Sequence, residues 1–284
     1  MNTTIKKSLA AATAFLAATA GALAATTGSS SAAAGTGLRA YAITADGRKM
    51  ATFTVDKPDT FDWVRNITGL VGDTRAVGLD FRPNDGQLYL VGDKGGIYTI
   101  GIPSAVTTKV SQLQVPLSGV NFGVDFNPAA NRLRVISDSG QDLRHNLDDH
   151  TTVSDPVLTT PPASGTTTGV IGSAYTNNDL NSATATTLFN VNTTADQVVI
   201  QSPANNGTLA ATGALGIDAQ LVGGMDIYST LSNGKTVNNT AFASLVPYGG
   251  VSGLYSINLL TGEASFLGEF VLDTRDIALS LTGM

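Results

Sequence analysis

Apolar and polar residues alternate along this chain in short runs of about five, and turn residues close each run. Ala76 to Phe81, Gln87 to Val91, Gly96 to Ile100 and Thr107 to Val115 read as four successive strands. Asn84-Asp85-Gly86 and Asp93-Lys94-Gly95-Gly96 supply the hairpin turns between them. The pattern recurs at Phe122 to Phe126, Arg132 to Ser137, Asp142 to Asn146 and Thr151 to Leu158. A third set runs from Gly172 to Tyr175 through Thr187 to Val191 and ends near Val198 to Gln201. A fourth begins at Gly224 and continues through Thr240 to Leu245, Gly253 to Asn258 and Ala264 to Phe270. No stretch sustains a helical period, so the chain reads as all-β.

One phrase marks the start of these sets: Gly78-Leu79-Asp80-Phe81, Gly123-Val124-Asp125-Phe126 and the looser Gly224-Met225-Asp226-Ile227. The first two copies lie 45 residues apart, the length of a four-stranded propeller blade. The two ends of the chain are each incomplete. Leu38 to Thr44, Lys49 to Val55 and Phe61 to Ile67 give three strands without a first, and Asp276 to Leu281 gives one strand without successors. Pairing them completes a fifth blade and removes the open sheet edges at the seam. The expectation is a β-propeller of five blades, each of four antiparallel strands, closed by its N- and C-terminal strands. Six blades is the alternative, because Asn205 to Leu221 reads as an inserted hairpin or an extra half-blade.

The first residues change the picture of where the chain works. Lys6 and Lys7 precede an apolar run to Ala22, and Ala22-Leu23-Ala24 has the small-x-small form of a cleavage site. Residues 1–24 therefore read as a signal peptide, 25–37 as a flexible Ala/Ser/Thr/Gly leader, and 38–284 as one propeller domain. The apolar run is shorter than the roughly 20 residues that a membrane-spanning helix needs. The chain has 284 residues and a formal charge of −6; without its first 24 it has 260 and a charge of −8. Its 14 remaining basic residues are dispersed, which disfavours nucleic acid and anionic membranes. There is no cysteine, so disulfides, thiolate catalysis and cysteine-held metals are excluded. The expectation is a periplasmic or extracellular monomer without membrane insertion.

Several strings resemble the bacterial exported family known as domain of unknown function 4394. They are Gly123 to Pro128 with Arg132 to Val135 and Ser137 to Arg144, Ala174 to Asn177, Gln201 to Leu209, and Gly253 to Ile257. The resemblance covers about Leu38 to Leu281 and implies a propeller-like exported protein, with no established reaction. Asn131 and Asp142 depart from it, standing where an aspartate and an asparagine are expected, so no role is carried over to them.

The candidate chemistry is sparse. Asp80, Asp125 and Asp226 sit at equivalent positions on strands that line the channel, so they form a ring suited to Ca²⁺ or to bonding backbone N–H groups of a turn or neighbouring blade. Ala174 and Ala278 interrupt that ring. Arg132, Arg134 and Arg144, with Arg82 and Arg275 at blade starts, either converge on an anionic ligand or pair with the repeated aspartates between blades. The scaffold reading is preferred for both sets. His145 and His150 flank a turn at a spacing that matches no zinc site, and no Gly-x-Ser-x-Gly elbow is present. The glycine-rich pieces near Gly92 and Gly213 read as turns. The tyrosines and Trp63 read mainly as blade packing. The leading expectation is a non-catalytic propeller that binds an extracytoplasmic protein, glycan or small ligand at one mouth of its channel. The rivals are a Ca²⁺-dependent propeller hydrolase of the lactonase type and a purely structural surface or matrix protein.

Overall fold

The structure, a computed structural model, describes residues 37–283. The expected signal peptide lies outside the described residues, as does the leader apart from Gly37. Twenty strands follow in order: β1 (Arg39–Thr44), β2 (Lys49–Thr54), β3 (Trp63–Asn66), β4 (Ala76–Phe81), β5 (Leu88–Gly92), β6 (Gly96–Ile100), β7 (Thr107–Gln112), β8 (Phe122–Asn127), β9 (Arg132–Ser137) and β10 (Asp142–His145). The remainder are β11 (Thr152–Ser154), β12 (Val170–Tyr175), β13 (Leu188–Asn192), β14 (Gln197–Gln201), β15 (Leu209–Ala214), β16 (Ala219–Ser232), β17 (Lys235–Pro247), β18 (Gly253–Ile257), β19 (Ala264–Glu269) and β20 (Thr274–Leu279). They form five four-stranded antiparallel sheets: β4 to β7 (blade I), β8 to β11 (II), β12 to β15 (III), β16 to β19 (IV), and β20 with β1, β2 and β3 (V).

The inner strands β4, β8, β12, β16 and β20 each touch the next around the ring, and β20 returns to β4. Blade V closes as the incomplete ends imply: Ala40 pairs with Leu279, Tyr41 with Ala278 and Ala42 with Ile277. The six-blade alternative is overturned. Leu209–Ala214, inside the segment that read as an extra hairpin, is β15 and pairs with β14 as the outer strand of blade III.

The core is laid down between blades rather than inside them. Tyr41, Leu79, Phe81, Leu88 and Tyr98 cluster where V meets I, and Val77, Tyr89, Val124, Phe126 and Leu133 where I meets II. Ile171, Phe189, Met225 and Tyr255 do the same for III and IV, and Phe53, Phe242, Leu254, Phe270 and Ile277 for IV and V. Most tyrosines therefore serve blade packing; Tyr248 is the exception, at 65% exposure. Trp63 packs on Tyr41 with ring centroids 6.3 Å apart.

All inner strands run in one direction, so the propeller has an upper mouth where they begin and a lower mouth where they end. Blade IV departs from its neighbours at the lower mouth. Its β16 and β17 have 14 and 13 residues, against five or six in the inner hairpins of blades I to III.

Candidate functional site: the propeller axis and its two mouths

The repeated phrase builds the axis. Its glycine is where adjacent inner strands approach: a Cβ on Gly123 would lie 2.7 Å from the Ser173 backbone nitrogen, and one on Gly172 3.0 Å from Met225. A Cβ on Gly78 would strike Val124, and one on Gly224 would strike Asp276. Two residues on, the aspartate reaches the next blade. Asp80 Oδ2 accepts the Phe126 N–H at 2.7 Å, Asp125 Oδ1 accepts the Tyr175 N–H at 3.0 Å, and Asp226 Oδ2 accepts the Leu279 N–H. Sequence alternation thus places a small residue and an acceptor on the same edge, and each inner strand is tied to its neighbour.

Blade V performs the tie differently. Ala278 does stand where the other blades carry aspartate, but Asp276, two residues earlier at the glycine position, turns its carboxylate into the axis. Its Oδ2 accepts the Leu79 N–H of blade I at 3.0 Å. This fourth carboxylate was missed by the sequence reading because it falls out of phase with the repeat. Blade III has Ala174 and no carboxylate. Its junction with blade IV is held instead by the loop after β12: Asn177 N–H donates to Asn239 Oδ1 at 3.1 Å, and Asn178 N–H to Ser229 Oγ at 3.0 Å. Thr236 N–H donates to Asp179 Oδ2 at 2.8 Å. The same bonds brace the long β16–β17 hairpin.

The ring geometry has an electrostatic consequence. One carboxylate oxygen from each of Asp80, Asp125 and Asp226 lies within 4.8 Å of the others, and all three residues are buried. Two unit charges at that separation repel by about 3 kcal/mol at an effective dielectric constant near 20. Burial, and after it the neighbouring carboxylates, holds Asp80 and Asp125 well above the usual carboxylate range. Burial likewise raises Asp276 well above it and Asp226 to about 6. The axis therefore favours protonated carboxyls or a bound cation. Oxygen donors of this kind suit a hard ion such as Ca²⁺, although Ca²⁺ takes six to eight of them.

The arginines do not pair with the repeated aspartates, which corrects the preferred reading. Arg134 is 0% exposed and its Nη1 donates to Asp142 and, at 2.8 Å, to Asp155. Its Nε donates to Tyr175 Oη at 3.1 Å and its Nη2 to Asn205 Oδ1 at 2.8 Å. Arg144 forks onto Asp155 at 2.6 and 2.7 Å, and Gln201 Nε2 donates to Asp142 Oδ2 at 2.6 Å. This network, buried at Arg134, Asp142 and Asp155 and reaching the surface at Arg144 and Asn205, sews blade II to blade III and uses residues from the most distinctive strings of the sequence. Burial raises Asp142 to about 6 even beside Arg134. Arg132 turns away, donating to the carbonyls of Ala130 and Asn131. Arg82 pairs with Asp85 and Asp148.

Arg275 is different. It is 5% exposed, and no carboxylate lies within ion-pair distance among the described residues. Its Nε donates to Ala45 O at 3.0 Å and its Nη1 to Val120 O at 3.1 Å. Val120 belongs to the approach to blade II, which is not adjacent to blade V, so the guanidinium lies across the upper mouth.

The two histidines converge on one hydroxyl that sequence spacing did not indicate. Ser111 Oγ lies 2.8 Å from His145 Nε2 and 2.9 Å from His150 Nδ1, and His145 Nδ1 lies 2.9 Å from Thr152 Oγ1. Burial lowers His145 to about 4, with His150 adding to the shift, so it stays neutral near pH 7. An open surface recess of about 530 Å³ adjoins, lined by Lys109 to Gln114 and His150.

Fold and axis together define a five-bladed β-propeller with an acidic core to its channel. The chain belongs to the family described as Domain of unknown function (DUF4394), which it matches over residues 49–278. No curated protein sequence matches it significantly. A solved structural-genomics protein of unknown function from Bacteroides thetaiotaomicron is similar at 14% identity and a TM-score of 0.50, over 85% of this chain and 62% of that one. A chain of a nidogen/laminin complex gives 9% identity and a TM-score of 0.47, over 86% and 98%. Glutaminyl cyclase from Myxococcus xanthus gives 14% and 0.43, over 72% and 89%. These likenesses concern the fold alone.

Proposed function

We propose that the chain is an exported, non-catalytic propeller that binds an extracytoplasmic protein, glycan or small ligand at its lower mouth. The observation that supports this is the lengthened β16–β17 hairpin. Ring closure needs inner strands of five or six residues, yet blade IV extends both of its strands and a loop of blade III is spent on bracing them. The result is a wall at one mouth that mixes Asn, Ser and Thr side chains with the exposed Leu231 and Val237, a combination of donors, acceptors and apolar contacts that suits a polar, weakly charged ligand. The basic and apolar N-terminal segment supports export.

The test is a binding comparison between the parent and a variant with Ser229 to Thr240 replaced by a two-residue turn. Retention on immobilised glycans or cell-wall material that disappears in the shortened, still folded variant supports the reading. Equal retention by both, or none by the parent, overturns it.

The convergence of Asp80, Asp125 and Asp226 favours a second reading, a Ca²⁺-dependent hydrolase with the ion on the axis. Two features weigh against it: those carboxylates already accept inter-blade N–H groups, and Arg275 crosses the upper mouth. A ligand bound only by the folded form must raise the melting midpoint. An unchanged midpoint in millimolar Ca²⁺ relative to EDTA eliminates the ion.

A further inference from the structure

We propose that the upper mouth is an oxyanion site in which Arg275 and Arg75 receive a carboxylate or phosphate group. Arginine has five N–H donors in a fixed fork. Arg275 spends two of them on the carbonyls of Ala45 and Val120, and the other three make no hydrogen bond to the described residues. Its Nη2 is among those three. A nearly buried guanidinium with unused donors and no carboxylate partner within ion-pair distance fits a receptor for a planar or tetrahedral oxyanion.

The surroundings strengthen the assignment. Arg75 precedes β4 and flanks the same turn that Arg275 bonds: its Cβ would lie 3.1 Å from a Cβ on Gly47, while Arg275 holds Ala45 O. Arg75 makes no ion pair and no side-chain hydrogen bond among the described residues, and it is half-buried. Two positive groups thus stand together; burial, and then Arg75, lowers the pKa of Arg275. Asp276, Asp138 and Asp46 act on Arg275 through space, but their oxygens are taken up by other donors and none forks onto the guanidinium. Asp46 accepts Thr44 Oγ1–H and the Arg48 N–H, Asp138 accepts the N–H groups of Val120 and Asn121, and Asp276 accepts the Leu79 N–H. Val120, 58% exposed, lies beside Arg275, whose Nη1 donates to its carbonyl, and gives an aliphatic body somewhere to rest. This site is independent of the lower-mouth wall.

The experiment is isothermal titration of the purified chain with inorganic phosphate and with butyrate, at ionic strength held constant with chloride. Saturable binding of at least one anion is expected. Arg75→Gln should weaken it about tenfold, the equivalent of one lost charge-assisted bond, with an unchanged ligand-free melting midpoint. Arg275→Lys removes the fork but keeps the charge and should weaken binding further. Arg65→Gln, the same charge change on the exposed face of β3, should leave affinity unaltered. Preference for butyrate assigns the site to an organic carboxylate, and preference for phosphate to a phosphorylated ligand. If neither anion binds above the chloride background, or Arg75→Gln binds like the parent, the proposal fails, whether or not Arg275→Lys folds.

Discussion

At the scale of single residues, burial decides what each charge does. The folded-state pKa of Asp226, about 6, lies above the ordinary 3.8, so between those values the folded protein binds more protons than the unfolded chain. The stability contributed by that protonation is complete below about pH 4 and is lost as the pH rises through about 6. Asp142 acts in the same direction, while His145, lowered to about 4, acts in the opposite one. Asp226→Asn keeps an acceptor for the Leu279 N–H and removes the titration. Its unfolding free energy relative to the parent should therefore improve by on the order of 3 kcal/mol between pH 4 and pH 7, read from urea denaturation at matched ionic strength. Parallel pH profiles would mean that Asp226 titrates normally. A second residue-scale contrast separates buried from exposed pairs. Asp155→Ala strips Arg144 of its fork and the fully buried Arg134 of one partner, and should cost about 3–5 kcal/mol. Asp62→Ala breaks an exposed pair with Arg39, whose side chains are 33% and 45% accessible, and should cost less than about 1 kcal/mol.

At the scale of the strand, the inner element is specified by spacing: glycine for approach, then aspartate two residues later for the tie. Gly224→Ala places a Cβ against the Asp276 side chain and its Cα, where neither inner strand has room to yield. Equilibrium denaturation should show a loss of about 3 kcal/mol, the upper range for overpacking; a loss below about 1 kcal/mol would show that the blades separate easily at the axis. This spacing is why so much was legible in advance. The phrases at Gly78 and Gly123 fix both the inner strands and the blade length, and the bounds of β4, β8 and β12 fall within a residue or two of the expected ones. The carboxylate convergence of Asp80, Asp125 and Asp226 also follows from their equivalent positions. What stayed hidden lies outside the repeat. Asp276 is two residues out of phase, β15 sits in an Ala- and Gly-rich stretch with little strand character, and the length of β16 and β17 is masked by polar residues on both faces. Two partners of Arg134, Tyr175 and Asn205, come from blade III, and the meeting of Ser111 with two histidines joins the outer strand of blade I to blade II. No local spacing encodes such contacts.

At the scale of the whole molecule, the ring is closed by one strand. β20 supplies the Asp276 tie to blade I, the Leu279 N–H that Asp226 accepts, and the partner for the edge of β1. The covalent break between β20 and β1 occurs where blades I to IV have an ordinary inner hairpin, and Ser280 N–H already donates to Arg39 O at 2.9 Å. Closure should therefore depend on the presence of β20 and not on where the chain begins. A circular permutant joining Gly283 to Leu38 through a short Gly-Ser connector, with new termini at the exposed Ser164–Gly165 step, should fold to the same propeller. Its unfolding free energy should lie within about 1 kcal/mol of the parent, since exposed loop steps tolerate new ends. Truncation after Asp273 should instead leave β1 as an unpaired edge and two axial ties without partners, giving aggregation or edge-paired dimers. Size-exclusion chromatography with circular dichroism distinguishes these outcomes. A truncated chain that remained monomeric and unfolded cooperatively would show that four blades hold the ring without the seam.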